Sequence, residues 1–151
     1  MIADLPCSGL GVLGKKPDLK YRVQPEDLEE LADLQRKILT CAQAIVKDGG
    51  TLMYSTCTVN PGENMDNVHW FLKEYPQFEL DDITENLCKE LRSDVIEKGC
   101  IQFFPGVHDC DGFFIARLKK KAWFSGNVKK QKNQTNNVNN SQKKRNTGGK
   151  L

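Results

Sequence analysis

The chain has 151 residues, with 22 basic and 20 acidic side chains that are unevenly distributed. Residues 1–116 carry 11 basic and 20 acidic side chains, whereas residues 117–151 carry 11 basic side chains and no acidic ones. Such a division is typical of a folded body followed by a tail that binds an anionic partner. No run of about 18 apolar residues is present to span a membrane, and Asp4 and Pro6 interrupt the apolar stretch of a signal peptide. We therefore expect a cytoplasmic protein with no membrane-spanning segment.

The first half of the chain predicts a strand, a loop, a long helix and a second strand. Residues 1–5 have the composition of the last part of a strand, and residues 6–11 contain the proline and glycines of a loop. Residues 26–47 carry apolar side chains at steps of three and four, which predicts an amphipathic helix between a proline and a pair of glycines. Residues 51–56 form an uncharged run of the kind found in buried strands.

A second helix is predicted after this strand. Asn60, Pro61 and Glu63 have the pattern of a helix start, with asparagine as the cap, proline at the first helical position and glutamate three residues after the cap. We expect this helix to reach about residue 75, because Pro76 cannot continue it.

The remainder of the chain predicts a hairpin and a tail. Residues 80–99 lack a clear pattern, and we expect mixed loop and short helix there. Residues 101–104 and 113–118 predict two strands joined by a polar connection, as in a β-hairpin. Residues 122–151 are rich in asparagine and lysine and poor in apolar side chains, which predicts a disordered basic tail.

The order of these elements predicts an α/β fold in which the first two strands pair in parallel. Only two parallel strands are predicted, and the first is short. Either the sheet is unusually small, or the chain is the C-terminal half of a larger domain.

Six cysteines, at positions 7, 41, 57, 88, 100 and 110, raise the question of disulfides or bound zinc. A cytosolic chain with ample apolar residues does not need a disulfide framework. No C-x-x-C pair is present, and Cys100, His108 and Cys110 would leave a tetrahedral zinc site incomplete. We therefore predict free thiols, some buried and one or two reactive, and no metal.

The glycine-rich segment G-L-G-V-L-G at residues 9–14 matches the pattern of dinucleotide-binding loops. Such a loop directly follows a complete strand and opens a helix. Here Pro6, Cys7 and Ser8 intervene after the strand, and Pro17 prevents a helix from opening. The context therefore favours a flexible loop over a nucleotide site.

Two cysteines follow the two predicted parallel strands. Cys57 comes directly after residues 51–56 and shortly before the Asn60 cap, where a helix dipole would favour its thiolate form. Cys7 occupies the equivalent place after the first strand. Since ligands bind at the carboxyl ends of parallel strands, Cys7, Cys57 and Asp4 would face one crevice if the strands are neighbours. Spacing alone favours two unrelated buried thiols.

The residues that surround these cysteines are more informative than the spacing of the cysteines. Three segments of the chain carry this information. They are D-L-P-C-S-G-L-G-V at residues 4–12 with K-P-D-L-K at 16–20, Y-S-T-C-T at 54–58 with E-N at 63–64, and Q-F-F-P at 102–105 with histidine at 108 and D-G-F-F-I-A at 111–116. They resemble the D-A-P-C-S-G, T-C and P-x-x-H-x-x-D-G-F-F motifs of the Sun/Nop-type RNA (cytosine-5) methyltransferases, and most of all the bacterial enzymes that act on 16S rRNA. The resemblance covers residues 2–118, with Leu5 in place of the usual alanine, and implies a Rossmann-like methyltransferase fold.

This resemblance implies roles for three residues. Cys57, in the T-C motif, would be the nucleophile, because addition of a thiolate to C6 of cytosine makes C5 reactive toward a methyl donor. Cys7, in the P-C motif, would promote loss of the C5 proton and release of the enzyme. Asp4 would lie beside S-adenosylmethionine and the target base, which must be turned out of any stack to be reached.

The resemblance also implies that most of the S-adenosylmethionine site lies upstream of these motifs. We therefore expect residues 1–121 to be the C-terminal catalytic part of a methyltransferase, with rRNA and the missing N-terminal half of the enzyme as partners. Alone, the chain would bind the cofactor weakly or not at all and would be inactive. The alternative is a non-catalytic RNA-binding remnant of such an enzyme.

Three further features have both a structural and a functional interpretation. His108 is expected to orient the connection before Asp111 rather than to act in catalysis. Trp70 and Phe71 are expected to be helix core rather than a platform on which bases stack. The three lysines at positions 119–121 either solubilise the end of the last strand or contact RNA phosphates.

Overall fold

The structure is a computed structural model that describes residues 1–122. Three α-helices and six β-strands are present in this part of the chain. They are β1 (Ile2–Asp4), α1 (Leu19–Arg22), α2 (Pro25–Ile45), β2 (Thr51–Thr56), α3 (Met65–Glu74), β3 (Phe78–Leu80), β4 (Val95–Glu97), β5 (Cys100–Phe103) and β6 (Phe113–Lys120). Short 3-10 turns cover Pro61–Glu63, Thr84–Asn86 and Lys89–Asp94. The predicted disordered tail lies outside the described residues.

The strands form one mixed sheet in the order β1-β2-β6-β5-β4. β1 and β2 pair in parallel, as predicted, with Asp4 opposite Ser55. β6 lies antiparallel to β2 on one side, and on the other side it pairs with β5 and then with β3. The predicted α/β fold and its closing hairpin, β5–β6, are therefore confirmed.

One hydrophobic core joins the sheet to α2 and α3. Alternate residues of β2 and β6, such as Leu52 and Leu118, are fully buried because successive side chains of a strand point to opposite faces. Leu39 of α2 and Phe71 of α3 pack into the same core. Phe71 is thus the core residue that was predicted, and Trp70 is partly buried against the core with the Arg36 guanidinium 5.6 Å from its ring centre.

The predicted start of the second helix is wrong in one respect. Asn60 caps only the 3-10 turn, accepting a hydrogen bond from the Gly62 N–H at 3.2 Å, and the chain bends at Asn64 before α3 begins at Met65. The Glu63 side chain does not return to the backbone of the cap. It is fully buried and accepts hydrogen bonds from more distant parts of the chain, which a reading of local sequence does not detect.

Short elements account for the other differences. The region 80–99 contains the expected 3-10 turns, but it also contains β4, and β3 ends at its first residue. Each of these strands has three residues, too few for a period of two to be recognised. They become strands because β6 and β5 offer them unpaired edges. The four-residue helix α1 was also not predicted.

Two of the C-terminal lysines have structural partners. The Lys120 ammonium group donates to the carbonyl oxygens of Gln43 (3.2 Å) and Val46 (2.8 Å) at the end of α2. Lys121 donates to the carbonyl oxygen of Pro76, shortly after α3. A cation at a helix C-terminus satisfies free carbonyl groups and complements the helix dipole, so these lysines hold the end of β6 against the helices.

Within residues 1–122, every helix is too short or too polar to cross a membrane.

Candidate active site

The loops that follow β1 and β2 lie side by side because the two strands are parallel. Leu5 N–H donates to the Ser55 carbonyl (3.1 Å), which continues the ladder one residue beyond β1. Gly11 N–H then donates to the Cys57 carbonyl (3.1 Å). The two loops are therefore joined on both sides of the segment that contains Cys7.

This arrangement brings Cys7 and Cys57 into contact. Their Sγ atoms are 3.2 Å apart, and the Cys57 N–H donates to Cys7 Sγ at 3.3 Å. Both side chains are half-buried and both thiols are free. Two unrelated thiols, the interpretation that spacing alone favoured, do not describe this pair.

The Cys7 thiol is held in its neutral form. Burial, followed by the hydrogen bond to Cys57, raises the pKa of Cys7 from 9.0 to about 12. Burial favours the uncharged thiol because a thiolate loses its hydration there. Near neutral pH, Cys7 is therefore a thiol, and the contact between the two sulfur atoms is a hydrogen bond in which either sulfur can be the donor.

Asp4 lies at the same end of the sheet, on the exposed edge strand. Its Oδ1 atom accepts a hydrogen bond from the Ser55 hydroxyl at 2.8 Å, and the residue is exposed to solvent. The structure thus places all three of the predicted site residues, Asp4, Cys7 and Cys57, at the carboxyl ends of β1 and β2.

Gly11, within the glycine-rich segment at residues 9–14, lies at a close backbone crossing. Gly112 N–H donates to the Gly11 carbonyl at 2.8 Å, and a methyl group at Gly11 would lie 2.3 Å from the Gly112 carbonyl oxygen. Gly9 has a φ of 71°, which favours glycine. No helix opens at this segment, since α1 begins only at Leu19. The geometry therefore agrees with a loop, and the loop packs against the connection between β5 and β6.

Buried amide side chains attach that connection to the Cys57 loop. The Asn64 amide donates to the Thr58 carbonyl (3.0 Å) and to Gln102 Oε1 (2.7 Å), and it accepts from the Thr56 hydroxyl (2.6 Å). Gln102 in turn donates to the Phe113 carbonyl at 3.0 Å. Asn64 and Gln102 occur in the recognised motifs, but their partners are distant in sequence and could not be read from it.

A buried carboxylate, Glu63, is hydrogen-bonded to the residue that follows Cys7. It accepts from the backbone N–H of Ser8 (2.9 Å) and from the Gln35 amide (2.9 Å). The Tyr54 hydroxyl donates to the Glu63 carbonyl, and burial raises the pKa of Tyr54 above its usual range. Sequence reasoning assigned Glu63 to a helix cap and did not predict that Gln35, in the middle of α2, would reach the site.

His108 and Asp111 lie in the connection rather than against the sulfur atoms. His108 Nδ1 accepts from the Phe104 N–H at 3.0 Å, and its ring packs edge-on against Phe103. Asp111 pairs with Lys15 at 2.5 Å. These contacts agree with the expected orienting role of His108. The Asp111–Lys15 pair also links the connection to the residue that follows the glycine loop.

An open cleft of about 820 Å³ lies next to Cys7. Ser8, Val23 and side chains of α1 and α2 form its remaining walls. The charged side chains in these walls are the basic Arg22 and Lys37 and the acidic Asp27, Glu30 and Asp33. Within the part of the chain that the structure describes, no three His, Cys, Asp or Glu side chains lie close enough to hold a metal ion.

Comparison with known protein families identifies the class of protein to which this arrangement of side chains belongs. The family model described as "16S rRNA methyltransferase RsmB/F" matches residues 1–119, so the chain belongs to that family. The predicted membership of the Sun/Nop-type methyltransferases is thereby confirmed.

Individual relatives show the same similarity. The chain is 42% identical over 121 residues to "Probable ribosomal RNA small subunit methyltransferase B" of Bacillus subtilis, covering 80% of this chain and 27% of that protein. It is 41% identical over 122 residues to "Ribosomal RNA small subunit methyltransferase F" of Cronobacter sakazakii, covering 81% of this chain and 25% of the relative. The chain thus spans about a quarter of the length of these curated relatives.

Solved structures support the fold. The crystal structure of PH0851 superposes with a TM-score of 0.71 at 35% identity, covering 79% of this chain and 26% of that one. The structure of NSun6 from Pyrococcus horikoshii with SFG gives a TM-score of 0.62 at 31% identity, covering 79% of this chain and 29% of that one. The sheet is therefore part of a Rossmann-like methyltransferase fold.

Proposed function

We propose that residues 1–121 are the catalytic part of an S-adenosylmethionine-dependent RNA (cytosine-5) methyltransferase that acts on rRNA of the small subunit. The observation that carries this proposal is the contact between Cys7 and Cys57, two cysteines from different loops with their sulfur atoms 3.2 Å apart. The names of the relatives, which are small-subunit rRNA methyltransferases, support the substrate class.

Cys57 is the proposed nucleophile. Its sulfur adds to C6 of a cytosine that has been turned out of its stack, and the new S–C6 bond makes C5 nucleophilic. When bound, S-adenosylmethionine supplies a methyl group on a positively charged sulfur, which the activated C5 can accept. The position of Cys57 in the T-C motif supports this choice, and burial, which raises the pKa of Cys7, disfavours the thiolate form of Cys7.

Cys7 is proposed to act in product release. After methylation, C5 must lose its proton, and the electrons of the C5–H bond restore the ring double bond as the S–C6 bond breaks. Cys7 lies 3.2 Å from the departing sulfur, so its thiol hydrogen can be donated to that sulfur as the bond breaks, and the Cys7 thiolate left behind accepts the C5 proton. The site thereby returns to two thiols without a change in oxidation state.

Asp4 is the residue of this chain that we assign to the cofactor. Its carboxylate is exposed at the carboxyl end of the edge strand β1, next to the loop of Cys7. The relative NSun6 was solved with SFG, an analogue of S-adenosylmethionine, which supports this cofactor. Asp4 supplies one contact, so we expect the 151-residue chain alone to bind S-adenosylmethionine weakly and to transfer methyl groups poorly.

A chimaera tests the proposal. Residues 1–119 replace the matching segment of the Bacillus subtilis relative, and transfer of a labelled methyl group to 16S rRNA is measured beside the unaltered relative. We expect methylation at C5 of cytosine. In the same chimaera, Cys7→Ala should accumulate a covalent RNA–protein adduct on denaturing gels, and Cys57→Ala should form none.

Each other outcome has a defined meaning. An adduct with Cys57→Ala but not with Cys7→Ala would make Cys7 the nucleophile. RNA binding without methyl transfer or adduct, in a chimaera that folds, would favour the non-catalytic remnant.

A further inference from the structure

Each of the two cysteines is followed by a buried hydroxyl residue, and these hydroxyls touch. Ser8 follows Cys7 and Thr58 follows Cys57, and their oxygen atoms are 2.8 Å apart. Both residues are buried. The contact between the two sulfur atoms is therefore accompanied, one residue further along each loop, by a hydrogen bond.

The direction of this hydrogen bond follows from its neighbours. The Asn60 N–H donates to Thr58 Oγ1 at 3.2 Å, and the Ser8 hydroxyl donates to Glu63 Oε1 at 2.6 Å. A hydroxyl has one hydrogen to donate, and a carboxylate only accepts. The hydrogen between the two loops must therefore come from Thr58, and the chain of donors runs from Asn60 through Thr58 and Ser8 to Glu63.

Glu63 also holds the Cys7 loop by two other routes. Its Oε2 accepts from the Ser8 N–H and from the Gln35 amide, both at 2.9 Å. That same amide donates to the carbonyl of Pro6, the residue before Cys7, at 2.9 Å. The Asn60 amide donates to Oε1 at 3.1 Å from the other loop. One fully buried carboxylate thus accepts from the loops of both cysteines.

We propose that Glu63 is a positioning residue that holds Cys7 and Cys57 in contact. Hydrogen bonds to a carboxylate are stronger and shorter than those between neutral groups. The Glu63 carboxylate therefore sets the direction and the lengths of the hydrogen bonds that join the two loops. The catalytic consequence rests on the proposed function above, whereas the effect on the sulfur–sulfur contact does not depend on it.

Disulfide formation between Cys7 and Cys57 measures the contact directly. The 151-residue chain is used with its exposed thiols replaced, as Cys41→Ser, Cys88→Ser and Cys110→Ser. Diamide removes one hydrogen from each thiol and is reduced to its hydrazine, so the new S–S bond lowers the protein mass by two hydrogens. Mass spectrometry of the linked peptides follows the rate.

We expect Glu63→Gln to slow this reaction by about tenfold or more, because small misplacements of reacting groups reduce rates strongly. The substituted side chain has an amide N–H₂ group in place of one carboxylate oxygen. It therefore places a hydrogen-bond donor where Ser8, Gln35 and Asn60 already donate. Thr58→Val, which keeps the shape of the side chain and removes the hydroxyl hydrogen bond between Thr58 and Ser8, should also slow it. Thr58→Val carries the test if Glu63→Gln does not fold.

Leu118→Val is the matched control. Leu118 is fully buried at the opposite end of β2 and β6 from Cys57. The stability that Leu118→Val loses therefore does not come from the series of hydrogen bonds between Asn60 and Glu63. We expect its rate of disulfide formation to be unchanged. Unchanged rates in the folded Thr58→Val and Glu63→Gln variants would overturn the proposal, and equal slowing in Leu118→Val would do the same.

Methyl transfer by the chimaera provides the second measurement. Glu63→Gln should lower kcat while the KM for RNA stays the same, because Glu63 is fully buried and its side chain is not exposed to a bound RNA. If the unmodified chimaera transfers no methyl group, the proposed function fails, while the disulfide rates still decide the role of Glu63. An increase in KM alone, with kcat unchanged, would contradict the positioning role.

Discussion

Cys7 and Cys57 are separated by 50 positions in the chain, yet the N–H of Cys57 donates to the sulfur of Cys7 at 3.3 Å. The contact exists because β1 and β2 are parallel neighbours whose carboxyl ends lie side by side. A second sulfur this close changes the chemistry of the first, since burial and the bond to Cys57 together hold Cys7 neutral. Within the proposed mechanism, one cysteine is then available to attack and the other to donate a hydrogen.

The raised pKa of Cys7 predicts its reactivity toward alkylating reagents. Only the thiolate reacts, so below a pKa of about 12 the labelling rate of Cys7 should rise about tenfold for each unit of pH. At pH 8, Cys7 should label more slowly than the exposed Cys41. Peptide mass spectrometry after timed iodoacetamide treatment checks the order, and equal rates at pH 8 would contradict the neutral form of Cys7.

The glycine loop crosses the β5–β6 connection at Gly11. Substitution by alanine should therefore lower the stability of the protein much more at Gly11 than at Gly14. Gly11→Ala places a methyl group 2.3 Å from the Gly112 carbonyl oxygen, so it should lower the free energy of unfolding by about 1–3 kcal/mol or more. Gly14→Ala is the control, since no atom lies within 4 Å of a methyl group there. Urea denaturation followed by circular dichroism measures both variants, and equal stabilities would exclude the crossing.

The contacts of Lys120 predict a structural role for this residue. Lys120→Met keeps the length of the side chain but removes the donor to the last carbonyl groups of α2, which should cost about 0.3–1 kcal/mol. Lys119→Met is the matched control on the adjacent position of β6. Thermal unfolding compares the two, and an equal or larger loss with Lys119→Met would contradict the capping role.

The charge distribution predicts a role for the C-terminal segment in RNA binding. Residues 128–151 contain seven basic side chains and no acidic ones. Their deletion should weaken RNA binding and reduce the slope of log affinity against log salt, because fewer counterions are released. Filter binding at several salt concentrations measures both quantities. An unchanged affinity and slope would show that this segment does not contact phosphate.

Much of the fold could be predicted from local pattern. The apolar period of α2 and the uncharged run of β2 predicted a long helix and a buried strand, and both are present within about two residues at each end. The parallel pair and the β5–β6 hairpin followed from element order and turn chemistry. β3 and β4 were not predicted, since three residues carry too little pattern and only an unpaired neighbouring edge makes them strands.

The sequence by itself determined the family, because the three motifs are specific strings of residues, and it singled out Asp4, Cys7 and Cys57 as the residues to examine. Only the tertiary structure decided that the two sulfur atoms touch and that Glu63, expected as a helix cap, binds both cysteine loops. The physical reason is that apolar periodicity is a local property of the chain. The partners of a buried polar group depend on which distant segments cross beside it, and a carboxylate without water must find its donors there.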